Sequence, residues 1–424
     1  MRTSTVFLGL AALLGAAGSA GAQPESLAAL YELGGAVSDT NGDGVADRLN
    51  ARVVLPGSPS AAEVAIAADL AARLGFETLA LNLPMPTDAE MEIAVGDEAL
   101  SRLGMSGMGD LAAGRGAVEL HTAGDSVIVA VRGGDDAGLA AAAAWLASRA
   151  PHVFRTDGES LADVEAAVMS AAGDAAGGAH TVRVEVEAGA TALATAEVRV
   201  GASDADAAGA IASAVESAGD DLRFDSLATL HVVAVHDGGE SEASVSHDPP
   251  APEPGPVPGR PGSGAKDDLA LGVLYEPAGL LGDSNGDRIP DRLDSRLAVT
   301  AEDPGGTVAL AARLGLESSG MDFPVAAAAG DVDEPGKAPT LVVIGTAGEN
   351  PLLADLAVPE LGAGEGFVGV VPEAFGNKSA LAITGGDQAG LARALYQTAI
   401  GLPHLDAQNR KKDHPTVDGV EFAT

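Results

Sequence analysis

The chain has no cysteine, few aromatic residues and few lysines. The absence of cysteine excludes a disulfide framework, a lipoprotein anchor and a cysteine nucleophile. Aromatic residues make up 3% of the sequence, and the chain has 24 basic residues, five of them lysine, but 61 acidic ones. The formal net charge of -37 repels nucleic acid and anionic lipid, because contacts to phosphate require Lys and Arg. We therefore expect no nucleic-acid partner.

This acidic composition has two explanations. An excess of Asp and Glu with few lysines and many small residues suits a high-salt environment, where screening removes the self-repulsion of the chain. A GC-rich coding sequence would also favour Ala, Gly, Asp and Arg. The composition alone leaves both explanations open.

Long apolar runs are rare, and the clearest one lies at the N-terminus. Residues 6–17 are apolar but too few to span a bilayer. The run follows Met1-Arg2 and precedes Ala20-Gly-Ala22, which has the Ala-x-Ala form of a cleavage site. These features predict a secretory signal peptide at residues 1–22, cleaved after Ala22. We expect a secreted or periplasmic protein without membrane insertion.

Sequence signatures of common hydrolases are missing as well. The chain contains no His-Glu-x-x-His zinc motif. The sequence Gly282-Asp-Ser-Asn-Gly286 matches Gly-x-Ser-x-Gly, but it lies in an acidic turn pattern and lacks the strand-to-helix context of a nucleophile turn. Paired carboxylates for glycoside hydrolysis come from distant parts of a fold, and among 61 acidic residues a chance pair carries no information. We assign no catalytic residues, and a non-enzymatic role is the favoured interpretation.

The most specific chemical signal is a twelve-residue segment that occurs twice. Asp39-Thr-Asn-Gly-Asp-Gly-Val-Ala-Asp47-Arg-Leu-Asn50 recurs as Asp283-Ser-Asn-Gly-Asp-Arg-Ile-Pro-Asp291-Arg-Leu-Asp294. Side-chain oxygens fall at positions 1, 3, 5, 9 and 12, and position 7 can offer its backbone carbonyl. Calcium takes six to eight oxygen ligands at about 2.3–2.6 Å from a sharply turning loop. The spacing therefore predicts two calcium sites, and the alternative is a pair of Asx/Gly turns without metal.

Both segments resemble the calcium loops of dockerins and thrombospondin type 3 repeats. Position 6 of the pattern is Gly44 in the first loop but Arg288 in the second, and a strand-like run follows each loop where a dockerin has a helix. The resemblance implies the following ligands: Asp39, Asn41, Asp43, Val45 (carbonyl), Asp47 and Asn50, and Asp283, Asn285, Asp287, Ile289 (carbonyl), Asp291 and Asp294.

The loops belong to a longer internal repeat. Tyr31 precedes the first loop as Tyr275 precedes the second, and the Ala-Ala-Arg-Leu-Gly sequence ending at Gly75 recurs, ending at Gly315. Further on, the Gly-Gly-Asp sequence at 133–135 recurs at 385–387. Matches that keep the same order through both halves predict a duplicated domain.

Strand and helix patterns alternate within each copy, which predicts an α/β fold. We expect two duplicated α/β sandwich domains with mixed sheets, plus a small α+β domain between them. In the first copy the patterns predict strands at 52–55, 92–95 and 126–131 and helices at 61–74 and 137–148. The predicted organisation is a signal peptide at 1–22, an α/β repeat domain at 23–158, a small α+β domain at 159–246, a Pro/Gly-rich linker at 247–268, a second α/β repeat domain at 269–407 and a polar tail at 408–424.

A second resemblance concerns Val-Val-Ile-Gly345-Thr-Ala-Gly-Glu-Asn350-Pro-Leu-Leu and the Leu-Ala-Ile-Thr-Gly-Gly-Asp387 sequence after it. These segments are similar to accessory α/β domains of polysaccharide-active proteins, such as the N-terminal domains of α-glucuronidases and hexosaminidases and the periplasmic subunit of cellulose synthase. The resemblance implies a non-catalytic role beside a sugar. We expect a calcium-binding protein that binds or scaffolds, with a polysaccharide or a cell-surface protein as partner. The alternative is an accessory region of a secreted hydrolase, such as a glycoside hydrolase or a peptidase.

Overall fold

The computed structural model describes residues 23–79, 86, 88–123, 126–153, 158–249, 269–376, 378–403 and 420–423. The predicted signal peptide, most of the predicted linker and most of the predicted polar tail lie outside the described residues. Within the described ranges, no helix is both long enough and apolar enough to cross a bilayer.

The first part of the chain builds an eight-stranded mixed sheet in the order β10-β9-β8-β7-β5-β6-β4-β3, and a separate two-stranded hairpin of β1 and β2. Its strands are β1 (Val37–Ser38), β2 (Arg48–Leu49), β3 (Ala51–Val54), β4 (Met91–Val95), β5 (Arg115–Ala123), β6 (Ser126–Gly133), β7 (Ala176–Glu187), β8 (Leu193–Ala202), β9 (Thr229–His236) and β10 (Gly239–Ser246). Its helices are α1 (Ala61–Phe76), α2 (Gly96–Arg102), α3 (Asp136–Ser148), α4 (Leu161–Ala172) and α5 (Ala205–Ala218).

The second part builds a mixed sheet of five strands in the order β14-β13-β15-β17-β16, to which β18 adds at the edge, and a second two-stranded hairpin of β11 and β12. Its strands are β11 (Leu281–Gly282), β12 (Arg292–Leu293), β13 (Ser295–Val299), β14 (Ala326–Ala328), β15 (Thr340–Thr346), β16 (Gly366–Val371), β17 (Ala380–Gly385) and β18 (Val420–Ala423). Its helices are α6 (Pro304–Leu316) and α7 (Gln388–Tyr396). The predicted α/β class with mixed sheets is thereby confirmed.

Local side-chain caps define where most helices begin. Ser60 forms a capping box with Glu63 before α1, and Ser160 does so with Asp163 before α4. Asp135 accepts a hydrogen bond from Gly138 N–H at the start of α3. Each cap satisfies backbone N–H groups that have no partner inside the helix, which fixes the helix start.

The eight-stranded sheet is continuous across the predicted boundary between the first repeat domain and the small α+β domain. Strand β7 pairs antiparallel with β5, with Arg183 opposite Glu119. Trp145 of α3 is fully buried in the core above these strands, and its indole N–H donates to His152 O at 3.2 Å. The two predicted units therefore share one sheet and one core.

Helices α1 and α6 pack against each other and join the two halves of the chain. The contact is close because glycines face backbone: a Cβ on Gly75 would lie 1.9 Å from Ala312 O, and one on Gly315 would lie 1.9 Å from Ala72 O. Asp69 of α1 adds a polar link, since its Oδ1 accepts hydrogen bonds from the backbone at the start of β14.

The repeated tyrosines make the same contacts in both halves. The Arg73 guanidinium lies 4.1 Å from the ring centre of Tyr31, and the Arg313 guanidinium lies 4.8 Å from that of Tyr275. The Tyr31 hydroxyl donates to Leu146 O at 2.9 Å, and the Tyr275 hydroxyl donates to Thr398 O at 2.6 Å. Tyr31 thus ties the segment before the first candidate loop to α1 and α3. Tyr275 ties the segment before the second loop to α6 and to the π-helical turn Gln397–Gly401 after α7.

Candidate functional site

The first candidate loop, residues 39–50, closes the hairpin of β1 and β2. Val37 pairs with Leu49, and both side chains are buried. The hairpin is also held by Asp47 N–H, which donates to Ser38 O at 2.9 Å. An apolar base thus positions a loop whose tip is exposed to solvent.

Asp39, at position 1, accepts three hydrogen bonds from the loop backbone. Its Oδ1 accepts from the N–H groups of Asn41 and Gly42 at 3.1 and 2.6 Å, and its Oδ2 accepts from Gly44 N–H at 2.7 Å. The bond from Gly44, with smaller contributions from Gly42 and Asn41, lowers the pKa of Asp39 below its ordinary value. The carboxylate therefore stays ionised at neutral pH and carries the charge that a cation requires.

Positions 3 and 5 continue the same local pattern. Asn41 Oδ1 accepts from Asp43 N–H at 2.9 Å, and Asp43 Oδ1 accepts from Val45 N–H at 2.9 Å. These are consecutive Asx turns, in which a side-chain oxygen bonds to the backbone two residues further on. Val45 at position 7 is 40% exposed, so its side chain has no core role and only its carbonyl is relevant to a ligand.

The second candidate loop, residues 283–294, repeats the contacts of position 1. Asp283 accepts hydrogen bonds from the N–H groups of Asn285, Gly286 and Arg288 at 3.2, 2.6 and 2.7 Å. The bond from Arg288, with those from Gly286 and Asn285, lowers the pKa of Asp283. The first predicted ligand is therefore held in the same way in both loops.

The middle of the second loop also matches the first. Asp287 N–H donates to Asn285 Oδ1 at 2.9 Å, and Ile289 N–H donates to Asp287 Oδ1 at 2.8 Å. Arg288 adopts a φ of 74°, close to the 86° of Gly44 at the same position of the first loop. A left-handed φ disfavours residues with a Cβ, so the second loop keeps the conformation even where its sequence opposes it.

The carboxylates at position 9 bond to the residue at position 2. Asp47 accepts from the N–H and the hydroxyl of Thr40, both at 2.8 Å. Asp291 accepts from Ser284 N–H at 2.8 Å and from the Ser284 hydroxyl. A carboxylate oxygen has two lone pairs, so these bonds fix the carboxylates without using all of their acceptor capacity.

The side chains at position 12 bond to partners outside the turn. Asn50 Nδ2–H donates to Glu90 Oε2 at 3.3 Å. Asp294 is nearly buried and its Oδ1 lies 2.9 Å from Arg292 Nε. The turn formed by positions 1, 3 and 5 therefore does not include position 12 in this structure.

The donor chemistry of each loop fits a hard cation. Among the described residues, no group of three or more His, Cys, Asp or Glu side chains could hold a metal ion, so the structure does not gather the three Asp carboxylates of either loop around one point. Each loop instead combines carboxylates with an Asn amide and a backbone carbonyl, which are all oxygen ligands. Such a set suits calcium, whereas zinc prefers nitrogen and sulfur.

Both loops are attached to the helices that join the two halves. Ala46 O, at position 8, accepts from Leu79 N–H at 3.0 Å and from the Thr78 hydroxyl at 3.1 Å. Pro290 O, at the same position of the second loop, accepts from the N–H and the hydroxyl of Ser319, both at 2.8 Å. These donors lie just after α1 and α6, so each loop is fixed to one helix of the interhelical contact.

The structure also brings together charged residues that the sequence analysis did not single out. Glu119 is 4% exposed, and its carboxylate lies 3.4 Å from Arg132, 2.8 Å from Arg183 and 3.2 Å from His121. Burial raises the pKa of Glu119, but the hydrogen bond with His121 and the two arginine charges outweigh it and lower the pKa. The alternation Arg183-x-Glu185-x-Glu187 is the local signal that could have revealed this polar sheet face.

Comparison with models of known protein families finds no match to this chain, and a search among curated proteins finds no similar sequence.

Proposed function

We propose that this chain is an exported calcium-binding protein with a non-catalytic binding or scaffolding role. In this proposal, calcium stabilises two copies of one α/β unit, and the first copy shares its sheet with the predicted small α+β unit. Calcium would be held by the oxygens of positions 1, 3 and 5 and the carbonyl of position 7, with positions 9 and 12 as further ligands. The ion would supply positive charge to the loop carboxylates, and no chemical step is assigned to it.

One observation carries the proposal: two loops far apart in sequence share one hydrogen-bond pattern. Asp39 and Asp283 each accept three backbone N–H groups at matching positions. The match extends to the left-handed backbone at Arg288, which costs energy for a non-glycine residue. A shared cation requirement explains why two distant segments keep the same ligand-bearing turn.

Calcium titration by calorimetry tests the proposal. Extracellular calcium modules bind at about 10⁻⁴–10⁻³ M, so about 5 mM calcium should give heat and stabilise each loop by about 1–2 kcal/mol. The melting temperature should then fall by several degrees after chelation. The double substitution Asp39→Ala and Asp43→Ala should remove the calcium response of the first loop and leave that of the second loop.

A matched variant controls for the lost charge. Asp220→Ala with Asp221→Ala removes two exposed carboxylates from a turn away from both loops, and its calcium response should equal that of the unmodified chain. Absence of both heat and stabilisation in the unmodified chain would show that the loops are Asx turns without metal. A reproducible hydrolase activity that is lost on replacing a single Asp, Glu or His would contradict the non-catalytic part of the proposal.

A further inference from the structure

The two faces of the eight-stranded sheet differ in chemistry. On one face, Val118, Val184, Val198 and Val232 are at most 1% exposed and belong to the main core. On the other face, polar residues lie opposite one another across four neighbouring strands. This row is Glu119, Arg183, Glu197 and His231.

An open cleft of about 580 Å³ is lined by residues of β5, β7 and β8, which are neighbours in the order β8-β7-β5. Arg115, Arg183, Glu185 and Glu187 line it from the strands, and Asp110 lines it from the segment before β5. Strand β5 lies in the predicted first repeat domain, and β7 and β8 lie in the predicted small domain. Because these two predicted units share one sheet and one core, the cleft lies within one folded unit. Its volume is within the range of about 300–1,000 Å³ that is usual for ligand sites.

Four of the five charged groups of the cleft form two ion pairs, and Asp110 is the fifth. Arg115 lies 3.4 Å from Glu187, and Arg183 lies 2.6 Å from Glu185. A metal ion would have to displace an arginine from these carboxylates. The excess of carboxylates in the cleft and the net charge of -37 disfavour a polyanion. The arrangement therefore suits a neutral ligand rich in hydrogen-bonding groups.

We propose that this cleft binds a neutral glycan chain, an assignment that rests on the proposed binding role and specifies its ligand. A sugar hydroxyl both donates and accepts hydrogen bonds, and each pair of guanidinium and carboxylate offers donors beside acceptors. The Thr195 hydroxyl adds a further polar group, and the methyl groups of Ala192 and Ala194 offer apolar contacts for the C–H surface of a sugar ring. Because the cleft is open, a chain can extend beyond it.

The cleft occurs once in the described part of the chain. In the second sheet, β16 pairs with β17 as β5 pairs with β6. On its other side, however, β16 pairs with the short β18, whereas β5 pairs with the long β7. We therefore expect one glycan chain per protein, although the calcium loops occur twice.

The test is calorimetry with neutral oligosaccharides of the cellulose, xylan, mannan and starch types, and with alginate and heparin as anionic controls, at about 5 mM calcium. At least one of the neutral oligosaccharides should bind with a stoichiometry near one. Arg115→Ala and Glu187→Ala should each weaken that binding at least about tenfold, the effect of losing one charge-assisted hydrogen bond. Both side chains are partly exposed, so these substitutions spare the core.

Arg199→Ala is the matched control, because Arg199 lies on the same polar face and pairs with Glu197 but does not line the cleft. It should change glycan affinity less than about twofold, since a surface ion pair contributes little. Failure of all neutral glycans to bind, binding of alginate or heparin alone, or an equal loss in Arg199→Ala would each overturn the proposal. The heat of calcium binding, measured without glycan, tests the loops separately. Failure of the calcium proposal and failure of the glycan proposal can therefore be told apart.

Discussion

Gly75 of α1 and Gly315 of α6 lie in reciprocal contact across the two halves of the chain. A Cβ added to either glycine would lie 1.9 Å from a backbone carbonyl oxygen of the other helix. Both glycines end the repeated Ala-Ala-Arg-Leu-Gly sequence, so equivalent positions of the repeat face each other. The absence of two side chains lets the helix backbones approach closely, and the surrounding alanines complete the contact.

Replacing Gly75→Ala should destabilise the protein by about 1–3 kcal/mol, because the added methyl group forces the helices apart. Denaturant unfolding measures the change. Gly209→Ala in α5 is the control, since its Cβ would meet no atom within 4 Å. That change should be neutral or stabilising by up to about 1 kcal/mol. Equal effects of the two substitutions would contradict the close contact of α1 with α6.

Asp69 provides a second link between the halves. Its Oδ1 accepts from Val325 N–H at 2.8 Å and from Ala326 N–H at 3.1 Å. Burial raises the pKa of Asp69 to about 7, although the two N–H groups and the charge of Arg296 oppose this shift. The carboxyl group thus binds a proton more tightly in the folded state than in the unfolded one.

Because the folded pKa is the higher one, the free energy of unfolding should fall as pH rises from about 4 to about 7. Asp69→Asn keeps an oxygen acceptor without the charge, so it should remove this part of the pH dependence and be at least as stable as the unmodified chain at pH 8. Stability curves at several pH values measure both effects. An unchanged pH profile in Asp69→Asn would show that Asp69 does not titrate in this range.

Local signals were sufficient to locate the main helices. The predicted helix at 61–74 corresponds to α1, and its Ser60 cap and apolar spacing lie within one short segment. The predicted helix at 137–148 corresponds to α3, which begins one residue earlier behind the Asp135 cap. The candidate loops were likewise found from the sequence, because every residue that shapes their turns lies within twelve positions.

Other elements gave no reliable local signal. Helix α2 begins directly after β4 without a side-chain cap, and only the acidic residues Asp97 and Glu98 of its first turn mark its start. Strand β5 carries Glu119 in the middle of a sheet. Its buried charge is tolerated only because Arg132 and Arg183, which lie on other strands, form ion pairs with it. The cleft on the polar face depends on the same nonlocal pairing and could not be predicted from local patterns.

Position 6 of the loops allows a third test. Gly44→Ala should destabilise the first loop by about 1 kcal/mol, because its φ of 86° is strained for alanine. Arg288→Gly removes the same strain and a positive charge from the second loop. Because that charge repels a cation, the second loop of this variant should bind calcium several-fold more tightly. Melting temperature and calorimetry measure the two effects. If Gly44→Ala melts at the same temperature as the unmodified chain, the left-handed turn is not required. If Arg288→Gly binds calcium with the same affinity as the unmodified chain, the expected effect of the charge is wrong.

Ionic strength gives the last test, because the chain carries a net charge of -37. Repulsion among exposed carboxylates should be screened as the Debye length falls from about 10 Å at 0.1 M salt to about 3 Å at 1 M. Exposed ion pairs such as Arg48 with Asp88 also weaken, but they contribute little. The melting temperature should therefore rise with sodium chloride at constant calcium.

Comparison of chloride with sulfate at equal ionic strength separates screening from the exclusion of salt from the protein surface. Screening should raise the melting temperature equally in both salts and level off near 1 M, where the Debye length is already shorter than the spacing of most surface charges. Exclusion should act more strongly in sulfate and continue to rise. A melting temperature independent of chloride would remove the support for a high-salt environment and would leave base composition as the explanation of the acidic sequence.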